Sequence, residues 1–186
     1  MAEMVKEGKA RYIGISKELT ADLLNRAWSV HPIISVQDEY SLFVRDPESQ
    51  LLSACHDHDM AFMAFAPLGR GILAGLFGSQ ADIPEGDSRR KDDRYKPGNF
   101  EQNLKLVNAL AAMAKEKSVS TSALVLAWLM HQKGLVIPIP SSKSRKHLAE
   151  NAAAAALRLS SEDLQRIEET CPPSSVAGHS NHALAR

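Results

Sequence analysis

Two segments of the chain carry residues whose types and spacing suit the binding of an anion. Ala66–Gly71 (APLGRG) is glycine-rich and contains Arg70. Glycine lets backbone N–H groups approach an anion closely, and the arginine adds positive charge. Residues 142–151 (SKSRKHLAEN) combine hydroxyls and cations at the predicted start of a helix, where free N–H groups and the helix dipole favour negative charge. For this second segment, an ordinary capped helix is the alternative.

A third segment, Cys55–Asp59 (CHDHD), has the composition of a metal site. Ligands two residues apart on one turn rarely converge on an ion, so a helix end and a turn are the better interpretation. The other cysteine, Cys171, is far away and no CxxC pair exists. We therefore predict no metal ligands and no disulfide, but two free thiols in a reducing compartment.

The composition of the chain limits its function classes. Lys plus Arg and Asp plus Glu both number 22 in 186 residues, which argues against a general nucleic-acid binder but allows a local basic pocket. Hydrophobic residues make up 44% and charged residues 24%, as in globular proteins. No apolar run is long enough to span a bilayer, and the first residues lack a signal-peptide core. We expect a cytoplasmic protein with neither membrane nor nucleic acid as a partner.

The pattern of hydrophobic residues predicts strands that alternate with helices. Strands are predicted at 12–16, 33–37, 61–65 and 135–139. Helices are predicted at 21–30, 47–56, 100–117, 121–132, 146–157 and 161–170, and residues 1–8 are predicted as a helix end closed by Gly8. Residues 78–99 are polar and are predicted as a long surface loop, with a binding or lid role or simply as a solvated segment.

Strand and helix alternate about four times, which implies right-handed crossovers and a parallel sheet. A full (β/α)₈ barrel takes about 250 residues, so this length fits half of one. An open flavodoxin-like sheet is the alternative that the pattern alone leaves.

Four segments, in this order and each close to a predicted strand, resemble the aldo-keto reductases. They are residues 8–16 (GKARYIGIS), 35–42 (SVQDEYSL), 65–75 (FAPLGRGILAG) and 137–151 (IPIPSSKSRKHLAEN). The resemblance covers residues 1–171 and leaves 172–186 as a polar tail. It implies an α/β fold that is a partial TIM barrel, namely the C-terminal half with strands five to eight.

The resemblance also implies a site for NADP(H) at the carboxyl ends of these strands. Ser16 and Gln37 would bind the nicotinamide carboxamide, and Phe65 would stack on the ring. The pyrophosphate would be wrapped by Ala66, Pro67, Leu68, Gly69, Arg70 and Gly71. The adenosine phosphate would be held by Ser142, Lys143, Ser144, His147, Glu150 and Asn151, a set that favours NADP over NAD. The family usually has Asn where this chain has Lys17, and many members have Arg in place of His147.

The family reduces carbonyl compounds to alcohols with an Asp, a Tyr, a Lys and a His from the first four strands. None of these can be matched to this chain, so we name no catalytic residue and expect it to be inactive alone. The alternative is a non-catalytic truncated product, or a nucleotide-binding or interaction module. A half-barrel would have open edges at 12–16 and 135–139, and would therefore self-associate, pair with a complementary half or populate a loose state. Candidates for its interior face are Ile13, Ile15, Ile34, Val36, Met63 and Val136.

Overall fold

The computed structural model of the chain describes residues 1–16 and 19–179. Lys17 and the last seven residues of the predicted polar tail lie outside the described part.

A parallel sheet of four strands organises the described residues. Its strands are β1 (Gly14–Ser16), β2 (Ser35–Glu39), β3 (Ala61–Phe65) and β4 (Leu135–Pro138). They pair in chain order, each parallel to the next. A flavodoxin-like sheet would instead have its first two strands in reversed order. The α/β class with a parallel sheet is therefore confirmed, and the sequential order is consistent with a section of a barrel.

The described part of the chain contains seven α-helices. They are α1 (Ala2–Lys6), α2 (Ala21–Val30), α3 (Leu51–Asp57), α4 (Asn99–Glu116), α5 (Thr121–Met130), α6 (Arg145–Ala153) and α7 (Ser161–Thr170). The predicted helix at 47–56 is divided, because a 3₁₀ turn at Asp46–Glu48 precedes α3. The predicted helices at 21–30 and 161–170 are confirmed at both ends. Each begins after a hydroxyl cap, with Thr20 accepting from the Leu23 amide and Ser160 from that of Asp163.

The helices pack on one face of the sheet and leave the other face open. Val36, Phe62 and Val136 are register partners on three neighbouring strands, and all are buried in the core with α5. Gln37, Met63 and Ile137 form the next register row and point to the opposite face, where Ile137 is 41% exposed.

The predicted list of interior residues was therefore largely wrong. Val36 and Val136 lie under the helices, and so do Ile13, which is in the core, and Ile15, the register partner of Val36. Ile34 precedes β2 and is 45% exposed. Met63 alone of the six is on the open face. Hydrophobicity favoured the wrong face because the helix-covered side of each strand is the more apolar one.

The prediction of a solvated surface loop at 78–99 holds for only part of the segment, because many of its residues are exposed but several are buried. The segment forms three 3₁₀ turns, Gln80–Asp82, Ser88–Lys91 and Asp93–Tyr95, and it packs into the protein. Ile83, Asp92, Arg94 and Tyr95 are completely buried. The charges gave a false signal because Asp92 and Arg94 pair with each other instead of with water.

Candidate cofactor site

The residues predicted to bind a cofactor lie at the carboxyl ends of the four strands. Ser16 is the last residue of β1 and Phe65 the last of β3, and Gln37 lies in β2 next to Ser16 as its register partner. The glycine-rich loop at 66–71 follows β3 directly, and residues 142–151 follow β4. Since parallel strands end at one edge of a sheet, all of these segments meet along that edge, which is where barrel folds place their functional groups.

The polar pair and the aromatic ring lie on the open face of the sheet. Ser16 is exposed and Gln37 is half-buried, so a hydroxyl and an amide side by side are accessible from solvent. Phe65 is 38% exposed, and its register partner is Glu39. A hydroxyl and an amide can hydrogen-bond a carboxamide, and a phenyl ring can stack on a planar ring.

The loop at 66–71 has an unusual backbone. Ala66, Gly69, Arg70 and Gly71 have positive φ angles of 48°, 56°, 58° and 106°. The amides of Gly69 and Gly71 donate 2.9 Å hydrogen bonds to the carbonyls of Ala66 and Leu68. At Gly71 the φ angle of 106° disfavours any residue with a side chain, and a Cβ atom would come within 2.8 Å of Leu76 Cδ2, which would have to move. Left-handed conformations at Ala66 and Arg70 are strained and tend to occur at functional sites.

The segment after β4 forms a positively charged helix start. Ser144 caps α6 by accepting from the His147 amide at 3.5 Å, and the Ser142 hydroxyl donates to the Ser144 carbonyl at 2.9 Å. Lys143, Arg145, Lys146 and His147 are all exposed there. Glu150, a nearby carboxylate, lies 3.9 Å from Lys146. Cations beside the first turn of a helix suit a phosphate group, so this donor set fits the predicted ligand.

Sequence reasoning missed two buried residues that contact the glycine-rich loop. The Tyr95 hydroxyl lies 3.2 Å from the carbonyl oxygen of Gly69 and 3.1 Å from that of Arg70. Asp92 Oδ2 lies 3.6 Å from Arg70 Nε and 2.8 Å from Arg94 Nη2. Burial raises the pKa of Tyr95 to about 12. The only sequence signal was a tyrosine within a charged segment, which does not distinguish a buried contact from a surface one.

The CHDHD segment does not form a metal site in the structure. Cys55 is buried in the core, whereas His58 stacks on Trp28 with ring centroids 4.6 Å apart. Among the residues that the structure describes, no group of three or more His, Cys, Asp or Glu side chains could hold a metal ion.

The fold and this row of segments define an α/β protein whose candidate site lies at the ends of its parallel strands. The model of the aldo/keto reductase family matches residues 1–171, so the chain belongs to that family. It is 40% identical over 181 residues to an NADP(+) aldo-keto reductase of Schizosaccharomyces pombe, covering 96% of this chain and 53% of the relative. It is 35% identical to a probable aldo-keto reductase of Glycine max, covering 96% of this chain and 51% of the relative.

Solved structures of similar fold agree with the family assignment. A glycerol dehydrogenase of Gluconobacter oxydans superposes with a TM-score of 0.84 at 22% identity, covering 92% of this chain and 53% of the other, which supports the fold. An aldo-keto reductase of Klebsiella pneumoniae in complex with NADPH has a TM-score of 0.68 at 28% identity, covering 93% and 52%. The chain thus spans about half the length of these relatives. NADP, the cofactor of the Schizosaccharomyces pombe reductase and of the Klebsiella pneumoniae complex, is the cofactor that the resemblance implied.

Across the described residues, no helix is both long and apolar enough to cross a membrane.

Proposed function

We propose that these 186 residues form the C-terminal, cofactor-binding half of an NADP(H)-dependent aldo-keto reductase. The main support for the proposal is the order in which functional side chains follow one another along one edge of the sheet. A carboxamide-binding pair at Ser16 and Gln37 is followed by the aromatic Phe65, the glycine-rich loop and the cationic start of α6. This order matches an extended dinucleotide from its nicotinamide to its adenosine phosphate.

In this proposal each segment has its own task. NADPH supplies the hydride, and the enzyme as a whole reduces an aldehyde or ketone to an alcohol. Ser16, Gln37 and Phe65 orient the nicotinamide, and the loop at 66–71 binds the pyrophosphate. Lys143 and the hydroxyls of Ser142 and Ser144 select the 2′-phosphate, because an anion there is close to both a cation and a helix N-terminus.

Calorimetry with NADPH and NADH tests the cofactor assignment. We expect NADPH to bind more tightly, and the double variant Ser142→Ala/Lys143→Ala to lose affinity for NADPH while its affinity for NADH stays the same. Lys105→Ala in α4 is the control for loss of a cation elsewhere. Equal affinities for the two cofactors would refute the 2′-phosphate assignment.

We further propose that the chain alone does not catalyse the reduction, because the Asp, Tyr, Lys and His of the family belong to the other half of the barrel. The purified chain should not oxidise NADPH with an aldehyde above the buffer rate. Turnover that persists after removal of host reductases would overturn this. A non-catalytic nucleotide-binding or interaction module is the second candidate, and nucleotide binding without turnover after addition of the complementary half would favour it.

We propose that the chain self-associates or pairs with a complementary half through the open edges of its sheet. Leu135 and Ile137 on β4 are 62% and 41% exposed, and β1 and β4 are the edges of the four-stranded sheet. Sedimentation over a concentration series tests this, and a compact monomer at every concentration would contradict it. The two free, buried thiols suit the cytoplasmic location that we predict.

A further inference from the structure

The glycine-rich loop at 66–71 is contacted on its buried side by residues of the 78–99 segment, which the sequence predicted as a surface loop. The contacts come from Asp92 and Tyr95, neither of which carries an assigned role, and from Arg89, whose Nη1 lies 3.4 Å from the Arg70 carbonyl. Because Ala66 and Arg70 have strained left-handed backbones, the loop keeps this shape only if its surroundings enforce it.

The packing around Tyr95 holds its hydroxyl group in one position as a hydrogen-bond donor. Its ring is completely buried, stacks on Phe100 at 5.8 Å and meets Phe77 edge-on at 6.4 Å. Its hydroxyl is shared between the carbonyls of Gly69 and Arg70. No peptide bond among the described residues is cis, so fixing the Gly69 carbonyl turns the N–H of Arg70, in the same peptide plane, to the opposite side.

Asp92 fixes the side chain of Arg70. Its carboxylate is completely buried and lies between two cations, Arg94 at 2.8 Å and Arg70 at 3.6 Å. Arg94 also reaches Glu39 at the end of β2, with 3.5 Å between Nη2 and Oε1. Arg70 keeps 26% of its side chain exposed. Its Nε therefore lies beside a buried carboxylate, while about a quarter of the side chain remains accessible to solvent.

We propose that Tyr95 and Asp92 are positioning residues for the dinucleotide, which preform the 66–71 loop before the pyrophosphate binds. Tyr95 sets the direction of the Gly69–Arg70 peptide, and Asp92 sets the position of the Arg70 guanidinium. This inference rests on the proposed nucleotide function. It adds that the affinity for the pyrophosphate depends on groups that do not touch it, because a preformed site loses less entropy on binding.

The test compares two ligands on the Tyr95→Phe and Asp92→Asn variants. NADPH needs the loop, whereas adenosine 2′-phosphate lacks the pyrophosphate and needs only residues 142–151. We expect each variant to bind NADPH about three- to tenfold more weakly, as the loss of one hydrogen bond or charged contact implies, with unchanged affinity for adenosine 2′-phosphate. A general loss of folding would weaken both ligands, and that result would overturn the proposal.

Matched controls are Tyr12→Phe, at a tyrosine that is 66% exposed, and Asp93→Asn, at the neighbouring carboxylate that pairs with Lys96. Neither should alter the affinity for NADPH. Equal weakening in a control and in its partner variant would refute the positioning role.

Amide hydrogen exchange without ligand separates this inference from the proposed function. Tyr95→Phe should accelerate exchange in residues 68–76, while exchange in α5 stays as in the wild type. If Tyr95→Phe accelerates exchange but neither the wild type nor any variant binds NADPH, the preformed loop is supported and the nucleotide function is refuted. Unchanged exchange would refute the positioning role whatever the binding result.

Discussion

The buried ion pair of Arg94 and Asp92 offers a sharp test of how this fold is held together. Arg94 is completely buried and donates to Asp92 twice, from Nε at 3.1 Å and from Nη2 at 2.8 Å. Its Nη1 has no hydrogen-bond partner among the described residues. The pair therefore carries a desolvation cost that its two strong hydrogen bonds only partly offset.

Replacing Arg94 with Met keeps an unbranched apolar stem and removes the charged guanidinium group. Asp92 and Glu39 then remain buried, with Arg70 at 3.6 Å from Asp92 as the nearest remaining cation. Breaking a buried pair on one side typically costs about 3–5 kcal/mol, and Arg70 should keep the loss near the lower end, at about 3 kcal/mol. At an m-value of about 2 kcal/mol per molar urea, the midpoint of unfolding falls by about 1.5 M.

Urea unfolding followed by circular dichroism measures this effect. Arg166→Met is the control, because its pair with Glu116 lies at the surface with both side chains about half exposed, and its loss should cost less than about 1 kcal/mol. The double variant Asp92→Asn/Arg94→Met should be more stable than Arg94→Met alone, since it also removes the buried charge of Asp92. An Arg94→Met variant no less stable than the Arg166→Met control would refute the reasoning.

Three further predictions concern the site and the core. His147→Arg should tighten NADPH binding several-fold without changing NADH binding, by calorimetry, because a permanent cation then stands beside α6. Gly71→Ala should destabilise the chain in urea by more than Gly75→Ala, since both have positive φ but only Gly71 lacks room for a Cβ atom. Cys55 and Cys171 should not react with a thiol reagent at pH 8 until the chain unfolds, because burial raises their pKa values to about 11 and 12; rapid labelling of the native chain would contradict this.

Local signals predicted the helix boundaries better than they predicted the faces of the strands. The start of α7 follows from Ser160, whose capping box with Asp163 involves residues only three positions apart. The face of β2 depends on which side the helices cover, and that is set by long-range packing. The predicted strand at 33–37 begins two residues before β2, because the β-branched Ile33 is buried in the core without belonging to the strand.

The candidate site could be predicted as far as its solvent-facing residues. Ser16, Gln37 and Phe65 end the predicted strands and the loop at 66–71 follows one of them, so sequence order alone placed them at one edge. The support from Asp92 and Tyr95 could not be predicted, because it joins residues more than 20 positions apart through a segment without regular hydrophobic spacing. Charged residues in such a segment usually face water, and only the structure shows that these ones do not.

The two edges of the sheet are chemically unequal, which bears on how the open face would be covered. The Ile139 amide donates to the Ala64 carbonyl, so the backbone groups of Ile139 point towards β3. Because backbone groups alternate along a strand, those of Pro138 point to the outer edge, where proline has no N–H to donate. At the other edge the Ile13 carbonyl accepts from the Ile34 amide, which directs Ile13 to β2 and leaves Gly14 and Ser16 facing outward with both groups. A strand added at β1 can form a full ladder, whereas one added at β4 must do without a donor. Association through backbone pairing should therefore begin at β1, and β4 would contribute mainly the apolar contacts of Leu135 and Ile137.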